Sequence, residues 1–348
     1  MRAKYFFCFF ILFSFVFPLD LWLTLDKGQE DKITPILQQY FPQAKIRIIY
    51  WDNAFKEITK SFKNKKLPDI LLTGHTYIPF VAQYYSNFYK VKPLFWDIRA
   101  FYVWGDNPAI PVRTWTDTLN YLQNHTNLMS FPNKWLANDF YNFLSFFNDQ
   151  LPFWVSQSPF STQNMLYTVK LLATLKKIYP GMFKDNPVEA FLKREDYSII
   201  SGLWMYNILK KQEFAFSVYP VPQSQNGIQE FKGAYVGIYF NQRNETMKAA
   251  NVLNSYNFQK DTWEILNLLP SNTQLQTELK EDPVLEQLIQ ISEQSRYASA
   301  IDPAVLQNRI DVLNYLLNKK GLLDKFDDKK ITRLFNNKLY FSIMKWFN

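Results

Sequence analysis

The chain has 348 residues, 47% hydrophobic and 20% charged, with 39 Lys and Arg against 31 Asp and Glu for a formal charge of +8, a balance that excludes disordered and low-complexity classes. Aromatic residues reach 18%, from 32 Phe, 21 Tyr and 10 Trp, yet a mean hydropathy of -0.25 excludes a polytopic membrane protein. One Cys and two His exclude a disulfide scaffold, an iron–sulfur protein or a Cys-rich zinc module, and they weaken any His-based metal or triad chemistry.

The start, Met1-Arg2-Ala3-Lys4, leads into an uncharged run from Tyr5 to Phe17. A basic start and a short apolar run form the pattern of a secretory signal, and the run falls short of the roughly 20 residues of a membrane span. Residues 1–18 are therefore assigned to an export signal. No small-x-small pair precedes Pro18, so retention as an anchor is the alternative. Cys8 lies inside the run instead of directly after it, and no lipid-modified Cys is expected.

The body opens with Leu19, Leu21, Leu23 and Leu25 alternating with Asp20, Trp22, Thr24 and Asp26, the period of a strand. After the turn Asp26-Lys27-Gly28 comes an amphipathic helix over 32–40, stopped by Pro42, and a second strand over 44–51. This βαβ unit predicts parallel strands with a right-handed crossover. A helix over 55–64 leads to a third strand over 69–73, a turn at Gly74-His75 and a helical stretch including 81–85. Such alternation predicts an α/β layer architecture.

A second region is expected from about residue 100. Pro108 and Pro111 mark a loop, a helix starts at Thr114 and runs to Leu122, and aromatic-rich helices fill 135–148. Pro152 and Pro159 bracket an irregular loop. A long helix covers 162–179, a short one 187–193 and a strand 197–201, which ends in Gly202-Leu203-Trp204. Strands follow at 214–222 and 235–240. The last third is predicted helical, with starts at Asp282-Pro283 and Asp302-Pro303 and a stop at Gly321.

In open α/β sheets, ligands bind beyond the C-terminal ends of the strands. Three such ends carry polar or aromatic residues: Asp26-Lys27, His75-Thr76-Tyr77 and Gly202-Leu203-Trp204. A carboxylate beside an ammonium can grip neighbouring hydroxyls, one accepting and the other donating; an ordinary charged turn is the competing account. Trp204 offers a flat face on which the apolar side of a sugar ring can pack, or else it belongs to the core. His75 is expected to be structural or to touch a ligand. No GxSxG, HExxH, phosphate loop or GxGxxG is present, so binding and not catalysis is expected, with no cofactor and no metal. The Lys63, Lys65 and Lys66 group is expected to be a solvated loop, and no nucleic-acid partner follows from the charge.

The order of six segments carries a resemblance: LTLDKG (23–28), LPDILLTGH (67–75), RTWTDTL (113–119), EAFLKREDYSIISGLW (189–204), FSVYPVP (216–222) and GIYFNQRNETMKAANVL (237–253). Together they resemble the extracellular solute-binding proteins of ABC importers, in the branch that contains the maltose-binding protein, over roughly residues 19–325. The resemblance implies a two-lobed α/β fold with interleaved lobes, a sheet flanked by helices in each, and a ligand cleft between them. It places one lobe at 19–98 plus 236–281 and the other at 99–235 plus 282–348. By position, Asp26 and Lys27 match an acid–lysine pair that contacts sugar hydroxyls, Asp97 a ligand-binding carboxylate near the lobe crossing, and Trp204 a stacking Trp. Trp135, after Lys134, stands where an acidic contact is followed by an aromatic, and Asn308 falls near a third cleft aromatic. Thr73, Thr76 and Tyr77 replace a Trp, an Asp and an Arg, which departs from the maltose pattern. The implied function is an exported or periplasmic monomer that carries a sugar to ABC permease subunits. A secreted or membrane-tethered sensor on the same fold is the alternative.

Overall fold

The computed structural model describes residues 18–85, 88–105, 113–143, 146, 161–223, 232–295, 303–319 and 325–336. The signal run, the prolines at 108, 111, 152 and 159, Gly321 and the C-terminal tail over 338–348 lie outside the described residues.

The first lobe begins with β1 (Asp20–Leu25), α1 (Glu30–Tyr40), β2 (Lys45–Tyr50) and α2 (Trp51–Lys63). β3 (Ile70–Gly74) follows, then a 3₁₀ turn at His75–Tyr77, α3 (Ile78–Tyr84) and β4 (Lys90–Ile98). β1 pairs in parallel with both β2 and β3, as the βαβ reading predicts. In a parallel sheet the crossover helices cover both faces. Leu21, Leu23 and Leu25 enter one core while Trp22 enters another with Ile49, Ala54, Ile58 and Phe62. Each fully buried side chain of this size contributes about 1.5–3 kcal/mol. In α2 the buried positions Ala54, Ile58, Ser61 and Phe62 form a single stripe, the spacing of a helix that covers one face of a sheet.

The second lobe contains β5 (Ala100–Trp104), α4 (Trp115–Leu122), the two-residue β6 (Phe131–Pro132) and α5 (Ala137–Asn142). Then come α6 (Thr162–Ile178), β7 (Phe183–Lys184), α7 (Pro187–Leu192), β8 (Ser198–Ser201), α8 (Leu203–Lys211) and β9 (Phe216–Tyr219). Thr114 and Asp117 close a capping box at the start of α4, and Ser161 Oγ accepts from the Asn164 N–H to start α6. β5 lies between β8 and β9, antiparallel to both. The chain then returns through β10 (Lys232–Tyr239), α9 (Asn244–Leu253), α10 (Tyr256–Leu266), β11 (Leu269–Pro270) and α11 (Thr273–Leu279). It ends in α12 (Pro283–Gln294), α13 (Pro303–Asn318) and α14 (Asp328–Asn336).

The first sheet has the order β11-β4-β10-β3-β1-β2, with β10 antiparallel to β3 and β4. β10 starts at Lys232, ahead of the strand expected over 235–240. β4 and β5 were not expected as strands. β4 holds Pro93, and the ladder shifts register beside it between Tyr235 and Val236, which is how a sheet accommodates a proline. β5 (AFYVW) is buried along its whole length and shows no alternation.

Arg99 alone separates β4 from β5, so the chain passes from one sheet to the other across a single residue. A continuous core runs through this crossing, from Leu94, Phe95 and Ile98 to Tyr102, Val218 and Leu288. α12 packs on β4 and on β9 alike. A separate core of the second lobe gathers Trp115, Phe131, Trp135, Phe143, Phe146, Leu306 and Leu313. No helix among the described residues is long and apolar enough to cross a membrane.

Candidate functional site

The parallel strands β1, β2 and β3 end on one edge of the first sheet, where Asp26, Trp51 and His75-Thr76-Tyr77 follow them. Asp26 is open to solvent on one side. Loss of water around its carboxyl, then the nearby carboxylates of Asp97 and Asp52, hold its pKa above the ordinary value, against the opposing charge of Arg99. Lys27 does not stand free beside it: its Nζ is 2.9 Å from Asp52 Oδ2, with both side chains well exposed. Such a pair is weakly held and easily exchanged. Gly28 turns the chain with φ at 89°, in the region that a side chain disfavours.

After β3 the three residues diverge. His75 Nδ1 accepts the Ala234 N–H at 3.1 Å, which ties the turn to β10. Thr76 stands close to Tyr141 of α5, in the second lobe. Tyr77 is buried, its ring 5.8 Å from that of Trp51, and burial pushes its hydroxyl pKa up.

At the crossing, the guanidinium of Arg99 is buried and reaches both lobes. Nη1 donates to Asp97 Oδ1, and Nη2 donates to Asn138 Oδ1 of α5 at 2.9 Å. Asp97, half-exposed, faces Gly233 of β10 in register. Trp204 lies on the other side of Arg99. A Cβ placed on Gly202 would stand 3.0 Å from Trp204 Cδ1 and 3.1 Å from Arg99 Nη1, so the missing side chain is what lets the indole and the guanidinium share that space. Trp204 is half-buried and packs on the core that runs through the crossing.

Asp26, Thr76, Tyr77, Asp97 and Trp204 are thus brought together around Arg99 and Tyr141, with Lys27 and His75 beside them in the chain. Two expected residues are elsewhere. Trp135 is completely buried, edge-on to Phe140 and Phe143, and its backbone N and O are held by Asn314 at 2.8 and 2.9 Å. Its ring fills the second-lobe core and has no surface to offer a ligand. Asn308 is buried in α13 beside Arg309, whose guanidinium binds the Phe335 carbonyl, so it faces helix packing and not the crossing.

Four residues escaped the sequence reading. Trp51 closes the run that reads as the second strand, and the period conceals its place as the first residue of α2. Arg99 follows Asp97 by two positions, but the missed strands around it concealed the crossing. Asn138 and Tyr141 lay within a stretch noted only as aromatic-rich. The arrangement combines carboxylate acceptors, hydroxyl and guanidinium donors and partly open indoles, a set suited to holding a polyhydroxylated solute. Among the described residues no His, Cys, Asp and Glu group fits a metal ion.

No protein-family model matches the sequence, and no curated protein matches it. Among solved structures, the chain is similar to the maltose-maltodextrin binding protein of the thermoacidophilic bacterium Alicyclobacillus acidocaldarius, with a TM-score of 0.65 and 13% identity over 93% of this chain and 100% of that one. It is also similar to the sugar-binding protein MalE from the phytopathogen Xanthomonas citri, with a TM-score of 0.64 and 12% identity over 95% of this chain and 99% of that one. The likeness is one of fold: the chain has the two-lobed α/β architecture of these binding proteins over nearly its whole length.

Proposed function

We propose that the protein is an exported solute-binding subunit that captures a sugar or oligosaccharide between its lobes and delivers it to the permease of an ABC importer. The observation that carries this reading is the meeting of both lobes around Arg99, whose guanidinium donates to Asp97 of β4 and to Asn138 of α5. A solute in that space touches residues of both lobes at once. In an open form each lobe offers half of these contacts, so a bridging ligand favours closure by its differential affinity for the two states. The work is an equilibrium and involves no bond-making step. A micromolar dissociation constant corresponds to about 8 kcal/mol, within reach of an aromatic stack and several charge-assisted hydrogen bonds on a preformed surface. The likeness to sugar-binding structures and the aromatic-plus-carboxylate make-up of the crossing both favour a carbohydrate. In this reading residues 1–18 direct export and the protein acts as a monomer.

A thermal-shift screen against mono- and oligosaccharides tests it. Stabilisation by at least one sugar is expected. Silence across the sugars, with a shift from peptides, polyamines or metal ions, would overturn the carbohydrate assignment.

A further inference from the structure

Trp51 is the first residue of α2 and follows directly on β2. β1 lies between β2 and β3, so the ends of β2 and β3 are two strand spacings apart, roughly 9–10 Å. The Trp51 indole spans that gap. Its Cη2 comes 3.5 Å from where a Cβ on Gly74, the last residue of β3, would stand. Its ring is 5.8 Å from that of Tyr77 and 6.4 Å from that of Tyr235 on β10. The indole therefore lies across the C-terminal end of β1, the strand from which Asp26 emerges.

Tyr77 and Tyr235 are buried, and the Tyr235 hydroxyl is spent on the Thr24 carbonyl at 2.9 Å. Of these three rings, Trp51 alone is only half-buried. It packs against both first-lobe cores, which fixes the ring before any ligand arrives and lowers the ordering cost of binding.

We propose that Trp51 is the stacking surface of the first lobe, on which the apolar C–H face of a pyranose packs while its hydroxyls reach Asp26. The inference rests on the sugar-binding reading of the cleft. It adds a selection rule: a ring with an uninterrupted C–H face sits flat on the indole, whereas an axial hydroxyl on that face holds it away.

Calorimetric titration of the full chain with glucose, galactose, mannose, xylose, maltose and cellobiose provides the test. With the best binder of that panel, Trp51→Phe is expected to keep most of the affinity. Trp51→Leu keeps apolar bulk against Gly74 and Tyr77 but has no flat face, and is expected to bind roughly tenfold more weakly. Affinity for the Leu variant equal to that of the wild type overturns the inference. The Phe variant gives a second measurement should the Leu variant not fold: the sugar-induced change in tryptophan emission should shrink, and an unaltered change also overturns it. Sugar binding that needs Trp204 but not Trp51 leaves the functional reading standing and removes this inference alone. Failure of the wild type to bind any of the panel removes both.

Discussion

At Gly202 the absence of a side chain decides where two others go. The Trp204 indole and the Arg99 guanidinium both approach within 3.0–3.1 Å of the point a Cβ would occupy, so the aromatic wall of the second lobe and the charge at the crossing are set by one missing methyl group. Whether Trp204 serves packing or binding is separable by substitution. A fully buried Trp replaced by Ala costs about 3–5 kcal/mol. Trp204 is half-buried, so Trp204→Ala is expected to cost clearly less, about 1–2 kcal/mol, while sugar binding falls by tenfold or more. Urea unfolding beside calorimetric titration checks both. Full-sized destabilisation with binding intact would return Trp204 to the core. Trp135→Ala is the internal standard, because that ring is completely buried.

Among the elements, α12 is tied to α8 by the residue that caps it, Asp282. Asp282 Oδ1 accepts the N–H groups of Val284 and Leu285 at 3.0 and 3.2 Å, capping the helix. Its Oδ2 accepts from Tyr206 at 2.8 Å and Lys210 at 2.9 Å, both on α8. Partial burial works against the charged carboxyl, but Lys210, Tyr206 and the Leu285 N–H together hold its pKa below the ordinary value. A depressed folded pKa contributes stability that is present above the unfolded value, about 3.9, and is lost as pH falls through the folded one. Asp282→Ala should therefore cost about 1–2 kcal/mol at pH 7, and the gap from wild type should narrow below about pH 4. Denaturant titrations at pH 7 and pH 3 check this; a gap independent of pH would mean that the ion pair plays no part.

The same scale shows what could be read from residue order. β1, β2 and β3 were legible because Leu21, Leu23 and Leu25 alternate and because Pro42, Pro68 and Gly74 punctuate the runs. α12 and α13 were legible from Asp-Pro starts. β5 was not, since a strand covered on both faces carries no period, and β4 was masked by Pro93. That loss propagated to the site, because the one-residue crossing at Arg99 exists only once both strands are known. Asp26, Thr76, Tyr77, Asp97 and Trp204 were named in advance, but Trp135 was misplaced for a physical reason. In a segment dense with Phe131, Phe140, Phe143 and Phe146, sequence position does not tell which ring turns inward, and the rings that pack edge-to-face with one another claim the core.

Over the whole molecule, the lobes are joined by a packed core as well as by covalent crossings, and they are also fastened across the cleft by the protein's own side chains. Arg99 ties Asp97 of β4 to Asn138 of α5. Under the proposed function these bonds lie in the place a solute takes, so they are expected to break before it enters. Entry would then follow a prior opening step with a rate of its own. In rapid mixing against increasing sugar, the observed rate should climb and then level off at the opening rate; a strictly linear rise would show that nothing precedes encounter. Loosening the fastening with Asn138→Ala should lift the plateau. Under the proposed function, the side chains that tie the lobes together would set a ceiling on uptake speed that abundance of the solute cannot raise.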